Sequence, residues 1–503
     1  MTARRAVLAC GVVLAVMFLV SSTSTAATVS PPAGTWVPVS SPLVSGGDLA
    51  SVSCVAVSDC WAVGFSQPNR SDYSMTEHWK GAKWTTVAIP DRADDHLSSI
   101  DCVSSSDCWS VGSAGTGVLI EHWNGTDWSM VHTPPVTGTI SQLNSVTCTS
   151  SLDCWAAGDR GVGDDAGDPV YAMAEHWNGS TWSVVSVPNG TVAKEHPPTY
   201  LTGVSCVGPA DCWASGDYDL FFGLSDWVTP VFAHWNGTRW TTTTTADGSQ
   251  DGTGVAGITC ISSSECWAVG SRNDGSDGNS QTLTERWNGT RWSIVKTPDV
   301  STSSDDRLAS VTCTSGSNCW AVGSELGYDG PPTPALTEHW NGSNWSIAPS
   351  AQVSKKSDYF LNSVTCTDAD DCWSVGNSAS GALVEWLVRP TSISIRPTSG
   401  PPGTRVTVWG VGFTFDKPVT VTYQSDHSGK AVETNLACNA STTVNGVFSC
   451  KVSIPVLNAG LPGPHTVTAT SGGSTASASF DLTGERLPTS AGARQAQGWW
   501  GSS

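Results

Sequence analysis

The sequence predicts an all-β fold built from repeated small sheets, and three observations predict it. A unit of the form Cys-x5-Cys-Trp-x-x-Gly recurs seven times along the 503 residues. Each copy is followed by the motif Glu-His-Trp-Asn-Gly-Thr/Ser-x-Trp or by a variant of it. Successive copies begin 46 to 58 residues apart, and such a period filled with short β-type runs is typical of radial arrays of sheets. Together these observations predict a seven-bladed β-propeller.

Each repeat divides into four β-prone runs, as the second repeat illustrates. Its runs cover Leu97–Cys102, Trp109–Gly112, Val118–Trp123 and Asp127–Val131. The last two are joined by Asn124-Gly125, and Asn-Gly is the strongest short signal for a hairpin. Four such runs predict one four-stranded antiparallel blade per repeat, with the tryptophans packing blade against blade.

The seventh repeat indicates how the ring closes. It runs to Glu385-Trp386 and then lacks the Asn-Gly-Thr-x-Trp strand of the other repeats. A matching stretch, Gly34 to Val39, lies near the N-terminus instead. We therefore predict that the N-terminal strand completes the last blade, which removes an open sheet edge.

Sixteen of the seventeen cysteines are expected to form disulfide bonds. Seven pairs have five residues between their members, and an eighth pair near the C-terminus is expected to bridge a hairpin. Even numbers at fixed spacing are typical of disulfides in exported chains, whereas zinc sites favour two to four intervening residues. The predicted pairs are Cys54–Cys60, Cys102–Cys108, Cys148–Cys154, Cys206–Cys212, Cys260–Cys266, Cys313–Cys319, Cys366–Cys372 and Cys438–Cys450.

Composition divides the chain into four segments. Residues 1–27 combine two arginines, an apolar run from Ala6 to Val20 and a small-residue stretch, which predicts a cleaved signal peptide. The alternative, a membrane anchor, fits less well because the run is short. Residues 28–390 form the predicted propeller, residues 391–484 an immunoglobulin-like domain and residues 485–503 a flexible tail. We therefore expect a secreted, monomeric protein with no membrane span after signal cleavage and no cofactor.

The formal net charge of −20 excludes some classes of partner. Nucleic acid binding needs a basic footprint, and anionic membrane surfaces attract basic segments, so neither partner is expected. The expected partners are extracellular polysaccharide or protein.

A structural role explains the repeated polar motifs better than a catalytic role does. Glu and His are neighbours in Glu77-His78, Glu121-His122, Glu175-His176 and Glu338-His339. Adjacent strand residues point to opposite faces, so the two side chains of a pair do not converge on one reacting group. The Asn-Gly-Thr/Ser triplets match the N-glycosylation pattern, but their place in a hairpin favours turn formation.

The variable connections are expected to carry the function. The links after the second strand and between repeats vary in length and content, and in an up-and-down blade both emerge at the same end. Tyrosine and aspartate concentrate there, and the fourth repeat departs most, with large apolar residues in a predicted loop. The candidate ligand-binding residues are Tyr73, Tyr171, Asp217, Tyr218, Asp219, Phe221, Phe222, Trp227 and Tyr328.

Two acidic segments, residues 164–168 and 273–279, carry oxygen ligands of the kind that Ca²⁺ prefers. Neither matches the spacing of an EF-hand loop, which favours solvated turns. No metal ligand and no catalytic residue is therefore assigned.

The units Cys-Trp-Ala-Val-Gly and Glu-His-Trp-Asn-Gly-Thr-x-Trp-Ser resemble those of secreted bacterial repeat proteins grouped loosely with kelch, galactose-oxidase-type and Asp-box propellers. The resemblance covers Trp36 to Trp386 and implies a fold rather than an activity. A galactose-oxidase-type copper site implies a cysteine cross-linked to a tyrosine, whereas every cysteine expected in the mature chain has a predicted partner. A sialidase-type site implies Ser-x-Asp-x-Gly-x-Thr-Trp boxes, which this chain replaces with Ser-x-Asp-Cys-Trp-x-x-Gly. Ser392 to Phe413 resemble the opening of IPT/TIG-type immunoglobulin-like domains.

The leading hypothesis is a secreted, non-catalytic binding protein that recognises extracellular carbohydrate or a protein partner through its variable loops. Aromatic faces beside carboxylates suit sugars, whose C–H faces stack and whose hydroxyls need acceptors. One alternative is a carbohydrate-active hydrolase or lyase that uses loop carboxylates such as Asp164 or Asp217. Another is a cell-surface scaffold without a small ligand.

Overall fold

The structure is a computed structural model. It describes residues 34–42, 46–67, 72–90, 93–115, 117–133, 140–161, 170–189, 198–222, 225–243, 252–273, 279–300, 304–327, 333, 335–350, 358–369, 371–413, 417–427, 430–442 and 446–484. All regular structure in these ranges is β-strand. They contain no apolar helix long enough to cross a membrane.

In the part of the chain that the structure describes, twenty-eight strands precede residue 390. In chain order they are β1 (Thr35–Pro38), β2 (Gly47–Ala56), β3 (Asp59–Ser66), β4 (Tyr73–Trp79), β5 (Trp84–Val87), β6 (Asp95–Ser104), β7 (Asp107–Ala114), β8 (Gly117–Trp123), β9 (Trp128–Met130), β10 (Ile140–Ser150), β11 (Asp153–Gly161), β12 (Val170–Trp177), β13 (Trp182–Ser186), β14 (Thr199–Gly208), β15 (Asp211–Phe222), β16 (Ser225–Trp235), β17 (Trp240–Thr243), β18 (Gly254–Ser262), β19 (Glu265–Asn273), β20 (Ser280–Trp287), β21 (Trp292–Ile294), β22 (Ser304–Ser315), β23 (Asn318–Gly327), β24 (Ala335–Trp340), β25 (Trp345–Ile347), β26 (Tyr359–Asp368), β27 (Asp371–Ser378) and β28 (Gly381–Val388).

These strands form seven four-stranded antiparallel sheets. Each of the first six sheets consists of four consecutive strands, beginning with β2, β6, β10, β14, β18 and β22. The seventh contains β26, β27 and β28, and its fourth strand is the N-terminal β1, in which Trp36 pairs with Leu387. Repeated four-stranded antiparallel sheets are typical of a β-propeller.

The paired cysteines lie inside the first two strands of each sheet. Cys102 pairs directly with Cys108, and their Cα atoms are 4.0 Å apart. β6 ends at Ser104 and β7 begins at Asp107, so the link is shorter than the sequence predicts. The predicted strand ends are wrong here because the backbone ladder continues past the disulfide to a tight turn.

Close approach of two backbones explains the glycine of every Cys-Trp-x-x-Gly unit. The first strand of each sheet has a bulge near this glycine, for example between Leu143 and Ser145 in β10. A Cβ atom on Gly158 would lie 2.0 Å from the carbonyl oxygen of Gln142. The six equivalent glycines would meet their partner strand at 1.8 to 2.0 Å, so no side chain fits.

Hydroxyl groups join the first strand of one sheet to the first strand of the next. The backbone N–H of Val146 donates to Ser99 Oγ at 3.2 Å. The same contact joins the seventh sheet to the first, where Val52 N–H donates to Ser363 Oγ at 3.3 Å. Further contacts of this kind are Ile100 to Ser51, Val204 to Ser145 and Val364 to Ser310. The serine of the repeated motif therefore holds neighbouring sheets together.

Tryptophan side chains fill the interfaces between successive sheets. Trp155 in the third sheet is 1% exposed. Its ring centroid lies 4.7 Å from that of Trp235 and 5.2 Å from that of Trp240, both in the fourth sheet. Trp373 of the seventh sheet contacts Trp79 of the first at 4.7 Å. The predicted role of tryptophan in packing sheet on sheet is confirmed.

All eight predicted disulfide bonds are formed. Seven of them join residues six positions apart within a sheet. The eighth, Cys438–Cys450, joins the segment that follows β33 to β34, which belongs to a different sheet, and does not join two strands of a hairpin. Disulfides at this density are suited to an oxidising compartment.

Removing one repeat disulfide tests its contribution to stability. We expect the Cys148→Ser/Cys154→Ser double variant to lose about 2 kcal/mol of unfolding free energy, because the closed ring no longer restricts the unfolded chain. Urea unfolding followed by tryptophan fluorescence measures this, since 22 of the 25 tryptophans precede residue 391. An unchanged unfolding free energy would contradict the prediction.

Residues 391–484 form two further sheets around one apolar core. The strands are β29 (Ser392–Arg396), β30 (Ser399–Gly400), β31 (Arg405–Val411), β32 (Thr420–His427), β33 (Lys430–Leu436), β34 (Phe448–Ser453), β35 (Gly463–Ser471) and β36 (Ser474–Leu482). One sheet has the order β29-β31-β34 and the other β30-β36-β35-β32-β33. Val408, Tyr423, Val467 and Phe480 are 0% exposed at the centre of the core.

Candidate functional site

Strand register assigns the connections of each sheet to two opposite ends. In the third sheet, Cys154 pairs with both Cys148 and Trp177, and Trp177 pairs with Trp182. The disulfide turn and the Asn-Gly turn therefore lie at one end, which we call the Cys–Trp end. The β11–β12 connection, after Gly161, and the links between sheets lie at the other, which we call the variable end.

The histidines of the repeated motif lie at the Cys–Trp end, where four of them contact an aspartate. His176 Nε2 lies 2.7 Å from Asp153 Oδ1, and the imidazole stacks on Trp155 at 4.4 Å. In the fifth sheet an arginine and a glutamate replace this pair, with Arg286 Nη2 2.6 Å from Glu265 Oε1. His–Asp pairs also occur at His78–Asp59, His122–Asp107 and His234–Asp211. A His–Asp contact repeated in four sheets, and replaced by an Arg–Glu ion pair in a fifth, is structural rather than catalytic.

The Asn-Gly triplets are turns, as the sequence predicts. Asn178 Oδ1 accepts hydrogen bonds from the Ser180 N–H at 3.0 Å and from the Ser180 hydroxyl at 2.8 Å. The Thr181 N–H adds a third at 3.1 Å. The adjoining Trp177 donates its indole N–H to the carbonyl oxygen of Ser151 at 3.1 Å. The groups of the Cys–Trp end are thus occupied by contacts that recur from sheet to sheet.

The glutamates of the motif lie on the opposite strand face and are buried between sheets. Glu77, Glu121, Glu175, Glu285, Glu338 and Glu385 are all 0% exposed. Three of these glutamates each accept a hydrogen bond from a hydroxyl group that follows the outermost strand of the preceding sheet. The pairs are Ser41 with Glu77, Thr297 with Glu338 and Ser350 with Glu385. The fourth sheet has Ala233 at this position, and Val187 takes the place of the hydroxyl in the same apolar cluster. These glutamates therefore belong to the packing between sheets.

Described aspartates at the variable end bind the backbone of neighbouring segments. Asp217 Oδ1 accepts a hydrogen bond from the Val255 N–H at 2.8 Å, which joins the fourth sheet to the fifth. Burial raises the pKa of Asp159, which accepts hydrogen bonds from the amides of Gln142 and Asn144. Asp305 and Asp306 are buried and accept backbone N–H groups in the same way. Asp164 lies outside the described residues.

The fourth sheet carries a long hairpin where the sequence predicts a loop. Asp219, Phe221 and Phe222 lie in β15, Trp227 lies in β16, and Leu220 pairs with Trp227. The loop prediction is wrong because these aromatic and branched residues favour strand and continue the β15–β16 ladder. The side chains of residues 219–227 lie outside the described part. Tyr218 is 4% exposed, and burial raises the pKa of its phenol.

Two of the predicted tyrosines occupy the same position in different sheets. Tyr73 and Tyr171 each lie four residues before the buried glutamate, on the third strand close to the variable end. Tyr171 is 37% exposed, with the guanidinium carbon of Arg160 5.5 Å from its ring centroid. Arg160 and Tyr171 line a groove of about 650 Å³ together with Val184, Ser186 and Asn189. Tyr328 lies outside the described residues.

Arg160, Val184 and Asn189 are residues of this groove that the sequence argument missed. Arg160 lies five residues after Trp155, where the other six sheets have Ser66, Ala114, Tyr218, Arg272, Glu325 and Ser378. This is the second position after the repeated motif, and the charge there differs from sheet to sheet. Aligning the repeats at their Trp residues would have identified it.

The chain is similar to several solved structures, whereas no protein-family profile and no curated protein matches it. YCF48 bound to D1 peptide is 14% identical with a TM-score of 0.45, and the match covers 71% of this chain and 100% of that chain. A fungal alcohol oxidase of the AA5 family in complex with copper is 12% identical with a TM-score of 0.43, covering 90% and 100%.

A PL25 ulvan lyase bound to -[GlcA(1-4)Rha3S]- is 11% identical with a TM-score of 0.44, and the match covers 71% of this chain and 95% of that chain. Identities and scores at this level carry no argument about activity.

Proposed function

We propose that the protein is an exported, non-catalytic binding protein that recognises extracellular carbohydrate or a protein partner through its variable end. In this proposal the seven sheets form a closed seven-bladed β-propeller, and residues 391–484 are an appended immunoglobulin-like domain. Packing of β26 against β2 and the Val52–Ser363 hydrogen bond support the ring. The eight disulfide bonds support export, because such bonds persist in oxidising compartments.

The observation that carries the proposal is the separation of the two ends. Contacts at the Cys–Trp end repeat from sheet to sheet and leave little that distinguishes one repeat from another. At the variable end, the strand residues beyond the repeated motif vary from sheet to sheet, and the Arg160–Tyr171 groove opens there. A rigid scaffold that presents unlike residues at one end is the usual arrangement of a binding surface.

The hydrogen bonds of the described carboxylates favour binding over hydrolysis. A glycosidase needs two carboxylates placed on either side of a scissile bond. Asp217 and Asp159 instead bind backbone or amide groups of their own chain. The hydrolase alternative therefore has less support than the binding protein.

A glycan array probed with the purified protein tests the proposal, and calorimetry then measures each hit. We expect Tyr171→Ala to weaken binding of a hit about tenfold, because the exposed ring loses its contact with the ligand. Leu152→Ala is the matched control, since Leu152 is 66% exposed at the Cys–Trp end of the same sheet.

Equal losses in both variants would contradict a ligand site at the variable end. No hit on the array and no stoichiometric protein complex would favour the scaffold. Turnover of a polysaccharide that is abolished by Asp217→Asn would show an enzyme instead.

A further inference from the structure

The three-stranded sheet of the C-terminal region has one face in the core and one in solvent. Burial alternates along β31 and β34, so Val406, Val408 and Cys450 face the core. Arg405, Trp409 and Lys451 are exposed on the other side. We call this side the basic face and define it by Arg396, Arg405, Thr407, Trp409 and Lys451.

Register brings three cations around one hydroxyl on the basic face. Thr407 pairs with Arg396 on β29 and with Lys451 on β34. Arg405 lies two residues before Thr407 on the same strand face, about 7 Å away. Among the residues that the structure describes, none of the three cations forms an ion pair. Like charges this close repel each other, so a bound anion would be stabilised among them.

Acidic residues are absent from the outward-facing positions of β29, β31 and β34. Glu433 and Asp481 of the same region lie on the other sheet. Residues 391–484 contain five Lys or Arg and four Asp or Glu, whereas the rest of the chain contains nineteen and forty. The basic face is therefore a local site of positive charge on a strongly acidic protein.

A tryptophan lies next to the cations on the basic face. Trp409 is 39% exposed and pairs with Ser394 on one side and Ser449 on the other. These short side chains leave the indole accessible as a flat platform, with hydroxyls at both sides. A six-membered sugar ring stacked on Trp409 would hold its acid group above Thr407, because the two residues are about 7 Å apart.

We propose that the basic face binds an acidic polysaccharide, with Trp409 as the stacking platform and Arg396, Arg405 and Lys451 as the anion site. This is a second site, in a different part of the chain from the variable end. Guanidinium groups bind carboxylate and sulfate in bidentate geometry, and the ammonium group of Lys451 adds a third cation.

The position of the face favours sugar over peptide or nucleic acid. β31 is the central strand, and both its edges are paired, so an added peptide strand finds no main-chain groups there. A protein that binds nucleic acid makes about six to ten phosphate contacts, which is more than the three cations of the basic face supply. A sugar polymer with one acid group per residue or per disaccharide needs only the few cations present.

Calorimetry with polygalacturonate and with a sulfated galactan tests the proposal on the full chain. We expect at least one polymer to bind, and carboxyl-reduced polygalacturonate to bind at least tenfold more weakly than its parent. Trp409→Ala, Arg405→Gln and Lys451→Gln should each weaken binding about tenfold. Lys417→Gln, which removes one exposed cation outside this sheet, is the matched control and should leave the affinity unchanged.

Several outcomes would overturn the proposal: no binding of either polymer, equal binding of the reduced polymer, or an equal loss in Lys417→Gln. Tighter binding of poly-glutamate or of single-stranded DNA with the same dependence on Trp409 would also overturn it in favour of that ligand. Tyr171→Ala distinguishes the two sites, because it should leave polygalacturonate binding at the basic face unchanged.

Discussion

Trp155→Ala is expected to lower the free energy of unfolding by about 4 kcal/mol, the largest effect of any single substitution considered. Trp155 is 1% exposed and contacts two tryptophans of the next sheet, with the perpendicular Trp240 ring at 5.2 Å. Its other side stacks on His176, whose imidazole binds Asp153. Truncation leaves a cavity at the interface of two sheets and removes the surface that orients the His176–Asp153 hydrogen bond.

Trp409→Ala is the control, because it removes the same side chain from an exposed position. We expect it to change the free energy of unfolding by less than about 0.5 kcal/mol. Urea unfolding followed by tryptophan fluorescence measures both variants. A loss below about 1.5 kcal/mol in Trp155→Ala would mean that the interface relaxes into the cavity and that tryptophan packing contributes less than its burial indicates.

The second large effect is a loss of stability as pH rises. Glu175 is 0% exposed, and both its carboxylate oxygens lack a hydrogen-bond partner among the described residues. Burial raises the pKa of this carboxyl group from 4.5 to about 7. The folded protein therefore binds the proton more tightly than the unfolded chain does. Its contribution to stability is fully present below pH 4.5 and is lost as pH rises to about 7.

We expect this one group to lower the free energy of unfolding by about 3 kcal/mol between pH 4.5 and pH 8, since one pKa unit corresponds to about 1.4 kcal/mol. Glu175→Gln should remove that part of the pH dependence, because the amide has the same shape and does not ionise. Urea unfolding of both proteins at several pH values measures the difference. Glu433→Gln, at an exposed position, is the control. Parallel pH profiles for wild type and Glu175→Gln would contradict the assignment.

Repetition is the reason that so much of the fold is predictable from the sequence. The Cys-x5-Cys spacing, the Asn-Gly turn and the alternating runs each specify local geometry, and seven copies allow each signal to be checked against the others. The pairing of β1 with β28 is also predictable, because the last repeat lacks a strand that Gly34 to Val39 supplies. Strand ends are less predictable, because the ladder continues past the cysteines and the β15–β16 hairpin extends through residues that look like a loop.

The candidate site is less predictable, since exposure and partners depend on contacts between sheets. Tyr171 is exposed beside a groove, whereas Tyr218, at another strand end near the variable end, is buried. Asp217 looks like a loop carboxylate in the sequence but binds the backbone of the next sheet. The basic face was missed because its members are far apart in sequence, from Arg396 to Lys451, and only strand register brings them together.

The two strands β1 and β28, which pair in the seventh sheet, are separated in sequence by nearly the whole repeat region. Bringing them together therefore costs more loop-closure entropy than any pairing within a single repeat. We expect the β1–β28 pairing to form last, after the other six sheets. Until then β1 and the open edge of β28 are both available to a second molecule. High protein concentration during refolding should therefore favour dimers in which each chain completes the seventh sheet of the other.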